Sequence, residues 1–469
     1  MSFHRQSIWK TTLFLIVIVA ASATLAFAQT LTTLATFDGT DGSEPYPAVV
    51  QGTDGNFYGT TVFGGSLGNG EVFKITPAGK LVTLYSFTNG NDGRYPYAGL
   101  LLGLDGNFYG TTGYGGANNF YGTVFKITPK GVLTTLHAFD STDGATCVAA
   151  LIQASNGIFY GTTESGGANG YGTVFKMTSN GTVTTLHSFD SSDGAYPMGS
   201  LYQGTDGNFY GTTYQGGADR LGTVFKITPT GTFTSLHSFS GYPSDGTEPY
   251  AGLVQAANGS FYGTTWEGGT EDFGSIFKMT STGTVTLLHS LNGGSDGGGL
   301  ADPLIQATDG NLYGTANSDG EVSSGCTEGC GTIFKISTAG TFTVLEDFDQ
   351  TNGAFPFAAL LQGTNGILYG TTQQGGPSNE GTVYSLSLKL GPFVSPLPTS
   401  GKVGAKVVIL GNNLTGSTAV SFNGTAATFT VVSNTEITAT VPSGATTGKI
   451  EVTTPHATLK SNVSFRVTG

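Results

Sequence analysis

The segment that decides the fold is PMGSLYQGTDGNFYGTTYQGGADRLGTVFKITPTGTFTSLHSF, residues 197–239. Four short runs rich in Val, Ile, Thr, Phe and Tyr alternate within it with clusters of Gly, Pro, Asn and Asp. Runs of this composition, bounded by turn-forming residues, are typical of short β-strands joined by tight turns. The segment therefore predicts a four-stranded antiparallel sheet.

This segment is one copy of a tandem repeat. The Tyr of its F-Y-G-T-T motif recurs about every 51 residues along the chain. The positions are Tyr58, Tyr109, Tyr160, Tyr210, Tyr262, Tyr313 and Tyr369. Because four strands in about 50 residues correspond to one propeller blade, the repeat predicts a seven-bladed β-propeller over residues 29–390.

The two ends of the repeat region are incomplete in complementary ways. Residues 31–37 (LTTLATF) resemble a fourth strand with no third strand before it, and residues 381–387 (GTVYSLS) resemble a third strand with no fourth after it. We expect the N-terminal strand to complete the last blade, because such closure removes two open sheet edges.

The composition excludes several classes of protein. The chain has 469 residues, of which 75 are Gly, 31 Phe and 20 Tyr, and only 10% are charged. This aromatic content excludes disorder for most of the chain, and the lack of a three-residue Gly period excludes collagen. The net charge of −13 and the absence of any Lys/Arg cluster argue against nucleic-acid binding.

Residues 1–28 predict a secretory signal peptide. Basic residues lie between positions 4 and 10, an apolar run covers residues 11–27, and Ala26-Phe27-Ala28 is an A-x-A cleavage site. We expect the protein to be exported and to have no transmembrane segment after cleavage. Its expected location is outside the cell, at the cell surface or in the periplasm. The alternative is an uncleaved anchor, since the apolar run is near the short limit for a bilayer span.

A second domain is expected over residues 391–469. The repeat motif ends there, several Pro residues mark the junction, and short Val-, Ile- and Thr-rich runs follow. About 80 residues of this kind predict a small Ig-like β-sandwich.

Two family resemblances emerge from these motifs. The unit F-Y-G-T-T-x-x-G-G-x-x-x-x-G-T-V-F-K-I-T resembles the GloVer tandem-repeat ("choice-of-anchor") family of exported bacterial proteins. Residues 396–467 resemble an IPT/TIG domain, through V-I-L-G-N-N-L (408–414), V-S-F-N-G (420–424) and I-T-A-T-V-P (437–442). The first resemblance implies a surface protein without an established activity, and the second implies a spacer or interaction module.

The three cysteines have separate interpretations. Cys326 and Cys330 lie four residues apart in a Gly-rich loop, a pattern typical of a local disulfide in an exported protein. A zinc site is the alternative, but no nearby His or second Cys pair completes the four ligands that zinc needs. Cys147 is interpreted as a buried small apolar residue.

The polar residues that recur in the repeat are interpreted first as structural. A Lys recurs at one repeat position, from Lys74 to Lys335, and a His at another, from His137 to His289. Asp-Gly turns recur as well, and Asp/Asn exchange beside Gly is typical of Asx turns. A weaker possibility is Ca²⁺ at the acidic loops, although a D-x-x-D-G segment offers only two of the six to eight ligands that Ca²⁺ takes.

One face of the propeller carries the variable residues. The loops between the second and third strands share a face with the loops that connect blades, whereas the T-D-G-N and T-P-x-G turns on the other face hardly vary. Binding is usually placed on variable loops of a rigid scaffold. The candidate ligand-binding residues are Phe63, Tyr114, Tyr214, Gln215, Trp266, Glu267, Gln373 and Gln374. The connecting loops add Tyr46, Tyr95, Tyr97, Tyr196, Tyr242, Tyr250 and Phe355.

Aromatic rings among acidic and amide side chains suit a glycan or a protein ligand, although the rings could instead cap the central channel. We expect a non-catalytic binding or cell-surface interaction protein, with no catalytic residues assigned. The alternatives are a glycosidase or lyase, or a purely structural envelope component. An enzyme would need two carboxylates, or a set of His, Tyr and Arg side chains, that converge near the axis. The loop candidates are Glu71, Glu164 and Glu267.

Overall fold

The computed structural model describes residues 29–117, 120–322 and 325–469. The expected signal peptide, residues 1–28, lies outside them. Regular structure in the described residues is β, apart from one 3-10 turn at Gly294–Asp296. Across these same ranges, no helix is long and apolar enough to cross a bilayer.

The described residues from Thr30 to Ser387 form seven four-stranded antiparallel sheets in a propeller-like arrangement. The first strands are Val50–Gln51, Leu101–Leu102, Ile152–Gln153, Tyr202–Gln203, Val254–Gln255, Ile305–Gln306 and Leu361–Gln362. The second strands are Phe57–Thr61, Phe108–Thr112, Phe159–Thr163, Phe209–Thr213, Phe261–Thr265, Leu312–Ala316 and Leu368–Thr372. The third strands are Glu71–Ile75, Thr123–Ile127, Thr173–Met177, Thr223–Ile227, Ser275–Met279, Thr332–Ile336 and Thr382–Ser387. The fourth strands are Leu81–Ser86, Leu133–Ala138, Val183–Ser188, Phe233–Ser238, Val285–Ser290, Phe342–Asp347 and, for the last sheet, Thr30–Thr36.

The N-terminal strand joins the two ends of the repeat region. Thr30–Thr36 pairs antiparallel with Thr382–Ser387, the pairing expected from the two incomplete ends. The last sheet also contacts the first sheet, because the Phe57 ring packs on Tyr369 with centroids 4.0 Å apart. The seven sheets therefore close into a ring held by both pairing and packing.

Neighbouring sheets are joined by the motif that defines the repeat. The second and third strands are buried on both faces. The Tyr of one F-Y-G-T-T motif packs on the Phe of the next, as Tyr210 does on Phe261 at 4.1 Å. The Tyr210 hydroxyl then donates to Asp206 in its own T-D-G-N turn, at 3.0 Å. The motif therefore supplies the contact between sheets and also ties down one turn.

The recurring polar residues have structural partners in this arrangement. Four His side chains each contact the Asp of the following Asp-Gly turn at 2.7–3.0 Å, as His237 does with Asp245. Lys126 pairs with Asp105 at 2.9 Å. The four His–Asp pairs recur around the ring, which fits a role in holding strands to turns.

The Gly of F-Y-G-T-T is required by a close approach, which yields a stability prediction. Gly211 lies opposite Phe225, and a Cβ at Gly211 would lie 2.5 Å from the Phe225 ring. We expect Gly211→Ala to destabilise the protein by about 1–3 kcal/mol, because overpacking forces a core ring to move. The measurement is the thermal melt followed by circular dichroism. Gly391→Ala, where a Cβ meets nothing within 4 Å, is the control and should leave the Tm unchanged. An unaltered Tm in Gly211→Ala would contradict the prediction.

The C-terminal residues form two further four-stranded sheets and one two-stranded sheet. The first sheet has the order Ser395–Leu397, Lys406–Leu410, Glu436–Thr440 and Phe429–Val431. The second has the order Thr425–Ala426, Ala419–Phe422, Ile450–Thr453 and Thr458–Lys460. Ser400–Lys402 pairs in parallel with Arg466–Thr468. These sheets enclose their own core, which includes Val407, Ile409, Phe422, Ile437 and Phe465.

These C-terminal sheets pack against the face that carries the T-D-G-N turns. Thr435 donates to the Thr53 carbonyl at 2.6 Å, and Arg466 donates to the Thr205 carbonyl at 3.0 Å. Leu410 joins the apolar cluster that contains Tyr58. In the described residues, these contacts leave the opposite face, with the connecting loops, uncovered by the C-terminal sheets.

Candidate ligand-binding cavity

The connecting loops are held by one residue per repeat with a left-handed backbone. These residues are Glu44, Tyr95, Thr146, Tyr196, Glu248, Gly299 and Phe355, with φ between 55° and 66°. Glu248 shows the reason, because its N–H donates to Leu221 O of one sheet and its C=O accepts from Trp266 N of the next, both at 3.0 Å. Non-Gly residues rarely adopt this conformation, which is a form of strain often found at functional sites. These backbone hydrogen bonds fix the orientation of each connecting loop relative to the two sheets that it joins.

A cavity of about 520 Å³ opens at the centre of these loops. The residue two positions after each left-handed residue lines it. These lining residues are Tyr46, Tyr97, Val148, Met198, Tyr250, Ala301 and Phe357. Because every repeat contributes one of them, the cavity lies on the axis of the ring.

Aromatic side chains form one side of the cavity. Phe357 contacts Tyr46, with ring centroids 5.1 Å apart, and Tyr250, at 5.7 Å. Trp266 packs on both Phe357 and Tyr250, at 5.8 and 6.2 Å. Gly299 leaves space for the indole, since a Cβ there would lie 3.2 Å from the Trp266 ring. Trp266 is therefore placed to support the wall of the cavity.

Two carboxyl groups, Asp302 and Glu164, also line the cavity. Burial raises the pKa of Asp302 well above its ordinary value, opposed by a hydrogen bond from the Ala359 backbone N–H. Burial likewise raises the pKa of Glu164. Tyr250 lies within the field of both carboxyls, and burial together with these charges raises its pKa to about 12. Perturbed titrating groups of this kind are typical of functional sites.

Asp302 breaks the pattern of the repeat. The corresponding residues in the other six repeats are Pro47, Ala98, Ala149, Gly199, Ala251 and Ala358. Asp302 Oδ2 is buried and has no hydrogen-bond partner in the described part of the chain. A carboxyl thus occupies a slot that the scaffold otherwise fills with small apolar residues.

The described residues lining the cavity include no Lys, Arg or His. Arg94 lies beside the cavity mouth, with its guanidinium 4.9 Å from the centre of the Tyr95 ring and 5.8 Å from that of Tyr114. Its positive charge is thus directed at ring faces, as in a cation–π contact. The cavity wall itself carries only acidic and neutral groups.

The structure places the eight candidate residues at different distances from the cavity. Tyr114 lines it, and Trp266 and Tyr214 pack on the lining residue Tyr250. Gln373 donates to the Tyr46 hydroxyl at 2.7 Å and to Glu44 at 3.1 Å. The remaining four, like Trp266, Tyr214 and Gln373, are not among the lining residues. They are Phe63, which packs on Tyr95, and Gln215, Glu267 and Gln374, whose backbones bridge to connecting loops.

The three candidate carboxylates do not come together on this face. Glu71 is buried and accepts hydrogen bonds from Thr83 and Ser86 of its own sheet, at 2.9 and 2.5 Å. Glu267 is exposed, and Glu164 is the one that lines the cavity. Sequence reasoning missed Asp302 and Phe357, although aligning the seven repeats singles out Asp302 as the charged residue in its column.

None of the three cysteines lines the cavity, although Cys147 lies between the lining residues Thr146 and Val148. Cys326 and Cys330 form a disulfide with Cα atoms 5.5 Å apart. Cys147 is free and buried, and burial raises the pKa of its thiol. It occupies the slot that Pro fills in five other repeats. The described residues contain no group of three or more His, Cys, Asp or Glu arranged to hold a metal ion.

The repeat has a counterpart among known families. A model of the Gloeobacter/Verrucomicrobia repeat matches residues 22–219 and 198–432. The chain belongs to this family. Matches over both ranges agree with a tandem-repeat chain, and they extend beyond the ring into the C-terminal sheets. No curated protein was found to match.

Two of the solved structures that resemble this member of the repeat family have low sequence identity to it. A fungal alcohol oxidase of the AA5 family in complex with copper is 13% identical, with a TM-score of 0.50, covering 94% of this chain and 99% of that one. Virginiamycin B lyase from Staphylococcus aureus is 15% identical, with a TM-score of 0.49, covering 77% of this chain and 99% of that one. At 13% identity, the likeness to the alcohol oxidase concerns the fold alone.

Proposed function

We propose that the chain is an exported, non-catalytic binding protein that holds part of a glycan in the axial cavity. The observation that carries this proposal is the aromatic-walled cavity of about 520 Å³ at the centre of the connecting loops. Ligand sites are commonly concave and largely apolar, with a few placed polar groups, and this volume lies in their usual range.

The wall chemistry supports a sugar as the ligand. Ring faces such as those of Tyr97, Tyr250 and Phe357 can pack on the C–H surfaces of a sugar. Polar groups of the same wall, including Ser200 and Glu164, can meet hydroxyls. A concave cavity of this size suits a sugar ring or a chain end better than the flat surface of a protein partner.

The proposed architecture is a seven-bladed β-propeller, residues 29–390, followed by an Ig-like IPT/TIG domain, residues 391–469. The count of seven rests on the seven four-stranded sheets among the described residues. In this proposal the second domain is a rigid base, since it packs on the T-D-G-N face through Thr435, Arg466 and Leu410. Export is proposed from the signal-like residues 1–28, and the Cys326–Cys330 pair suits an oxidising compartment.

The test is a glycan and cell-wall-fragment binding screen of residues 29–469, repeated with Tyr250→Ala. We expect this variant to weaken binding at least tenfold, because Tyr250 lies between Phe357 and Trp266 in the wall. Tyr242→Ala is the matched control, because Tyr242 is 66% exposed and does not line the cavity. If Tyr250→Ala and Tyr242→Ala bind the ligand equally well, the cavity is not the binding site. If no ligand is found in the screen, the result favours a structural envelope component.

A polysaccharide-active enzyme is the second candidate. The observation that favours it is the presence of two carboxyls with raised pKa, Glu164 and Asp302, in one cavity. Incubating the ligands found in the screen and measuring new reducing ends or unsaturated products distinguishes the two candidates, since a binding protein leaves the glycan intact.

A further inference from the structure

We infer that Asp302, in the wall of the cavity that Glu164 also lines, is a subsite for the ammonium group of an amine-bearing sugar. This inference rests on the proposed glycan-binding function and names the ligand class. It predicts that sugars with a free amine are selected over their N-acetylated and neutral counterparts.

The first step of the argument is the departure from repeat symmetry. A scaffold role repeats around the ring, whereas a ligand-specific group is needed at one place. Asp302 stands where the other repeats place Ala, Gly or Pro. Glu164 is similarly individual, because the matching loop positions are Val62, Gly113, Tyr214, Trp266, Asn317 and Gln373.

The second step is the state of the Asp302 carboxyl. Its Oδ2 is buried without a partner among the described residues, although buried polar atoms are normally hydrogen-bonded. Such an atom lowers the stability of the folded protein, because its desolvation is not compensated by a hydrogen bond. A group that destabilises the fold, lines a cavity and breaks the repeat is best explained by a ligand that pairs with it.

The third step is the charge of the surroundings. Glu44 lies at the mouth and is bonded by Gln373, and Arg94 faces the rings of Tyr95 and Tyr114. Tyr97 and Tyr250 line the cavity, and Tyr384 lies within the field of Asp302. The described lining residues offer the two carboxyls no cationic partner, so an incoming ammonium is the complementary group.

The fourth step is the aromatic wall. Tyr46, Tyr97, Tyr250 and Phe357 line the same cavity as the two carboxyls. A cation over an aromatic face gains electrostatic attraction, and the gain is larger where water is excluded. An ammonium carried by a sugar would thus meet the Asp302 carboxyl, while the sugar ring packs on the aromatic rings of Tyr250 and Phe357, which the neighbouring repeats contribute.

The experiment is calorimetry of residues 29–469 with three ligands of equal length: a glucosamine tetrasaccharide, its N-acetylated form and cellotetraose. We expect the glucosamine ligand to bind at least tenfold more tightly than the other two. Asp302→Ala, which installs the residue that four other repeats use in this slot, should abolish the preference. Asp219→Ala removes an exposed acidic charge from a loop on the same face and should retain it.

The outcomes separate the inference from the proposed function. If the three ligands bind equally, or if Asp302→Ala keeps the amine preference, the ammonium subsite is wrong while glycan binding stands. The second of these results would indicate that Asp302 serves the packing around Tyr384 instead. If none of these ligands binds and the wider glycan screen is also negative, the glycan-binding function itself fails. Circular dichroism of each variant confirms that it is folded.

Discussion

Deleting residues 29–37 should abolish the cooperative unfolding of the ring. The N-terminal strand Thr30–Thr36 supplies the fourth strand of the last sheet. In the full chain, every residue of its partner strand Thr382–Ser387 is buried or half-buried. Without it, the last sheet presents an unpaired edge, and such edges promote aggregation. Phe37, which is 1% exposed, would also be lost from the apolar cluster between the last and first sheets.

The measurement is thermal unfolding by circular dichroism together with size-exclusion chromatography. We expect a broad transition at a markedly lower temperature and soluble aggregates. A matched control replaces residues 31–36 with the fourth strand of another repeat, Val183–Ser188, which should restore cooperative unfolding. Added peptide 29–38 should also raise the melting temperature of the truncated chain. A truncated chain that unfolds cooperatively at the temperature of the full chain would contradict ring closure by this strand.

Most of the fold is predictable from the sequence because each repeated residue has one local role. The Tyr and Phe of F-Y-G-T-T link neighbouring sheets, as Tyr58 and Phe108 do with centroids 4.0 Å apart. Since these contacts recur at one spacing, the period alone indicates the sheets and their order. The family match and the all-β, four-stranded sheets confirm the repeat and the propeller-like architecture.

The site is less predictable because its residues are the ones that depart from the repeat. Trp266 and Tyr114 can be picked out from the sequence as large rings in variable loops. In the structure Tyr114 lines the cavity, and Trp266 packs behind the lining residue Phe357. Asp302 lies in the connecting loop before the first strand Ile305–Gln306, and its role depends on burial, which the sequence of the loop does not reveal. Sequence periodicity also does not predict how the C-terminal sheets pack on the ring. The side chains of Thr435 and Arg466 contact backbone carbonyls, which leave no pattern in the sequence.

Asp302→Ala should make the protein more stable at neutral pH. The pKa of Asp302 is raised in the folded protein by burial, from an ordinary value of 3.8. A carboxyl with a raised folded pKa ionises more readily in the unfolded chain, so the folded state loses stability as the pH rises above 3.8 toward the folded value. Removing the carboxyl removes this loss, and we expect a gain on the order of 1–3 kcal/mol.

The sign of the pH dependence makes this prediction specific. The difference in Tm between Asp302→Ala and the unmodified protein should be positive at pH 7 and should shrink as the pH falls toward 4, measured by calorimetry in matched ionic strength. Ala98→Asp, which places a carboxyl in the same slot of the second repeat, should give the opposite sign with the same pH dependence. A lower Tm of Asp302→Ala at pH 7 would mean that Asp302 has a stabilising partner in the folded chain. A gain in stability together with the loss of amine selectivity would instead identify Asp302 as a residue kept at the expense of stability, the pattern expected of a ligand-binding group.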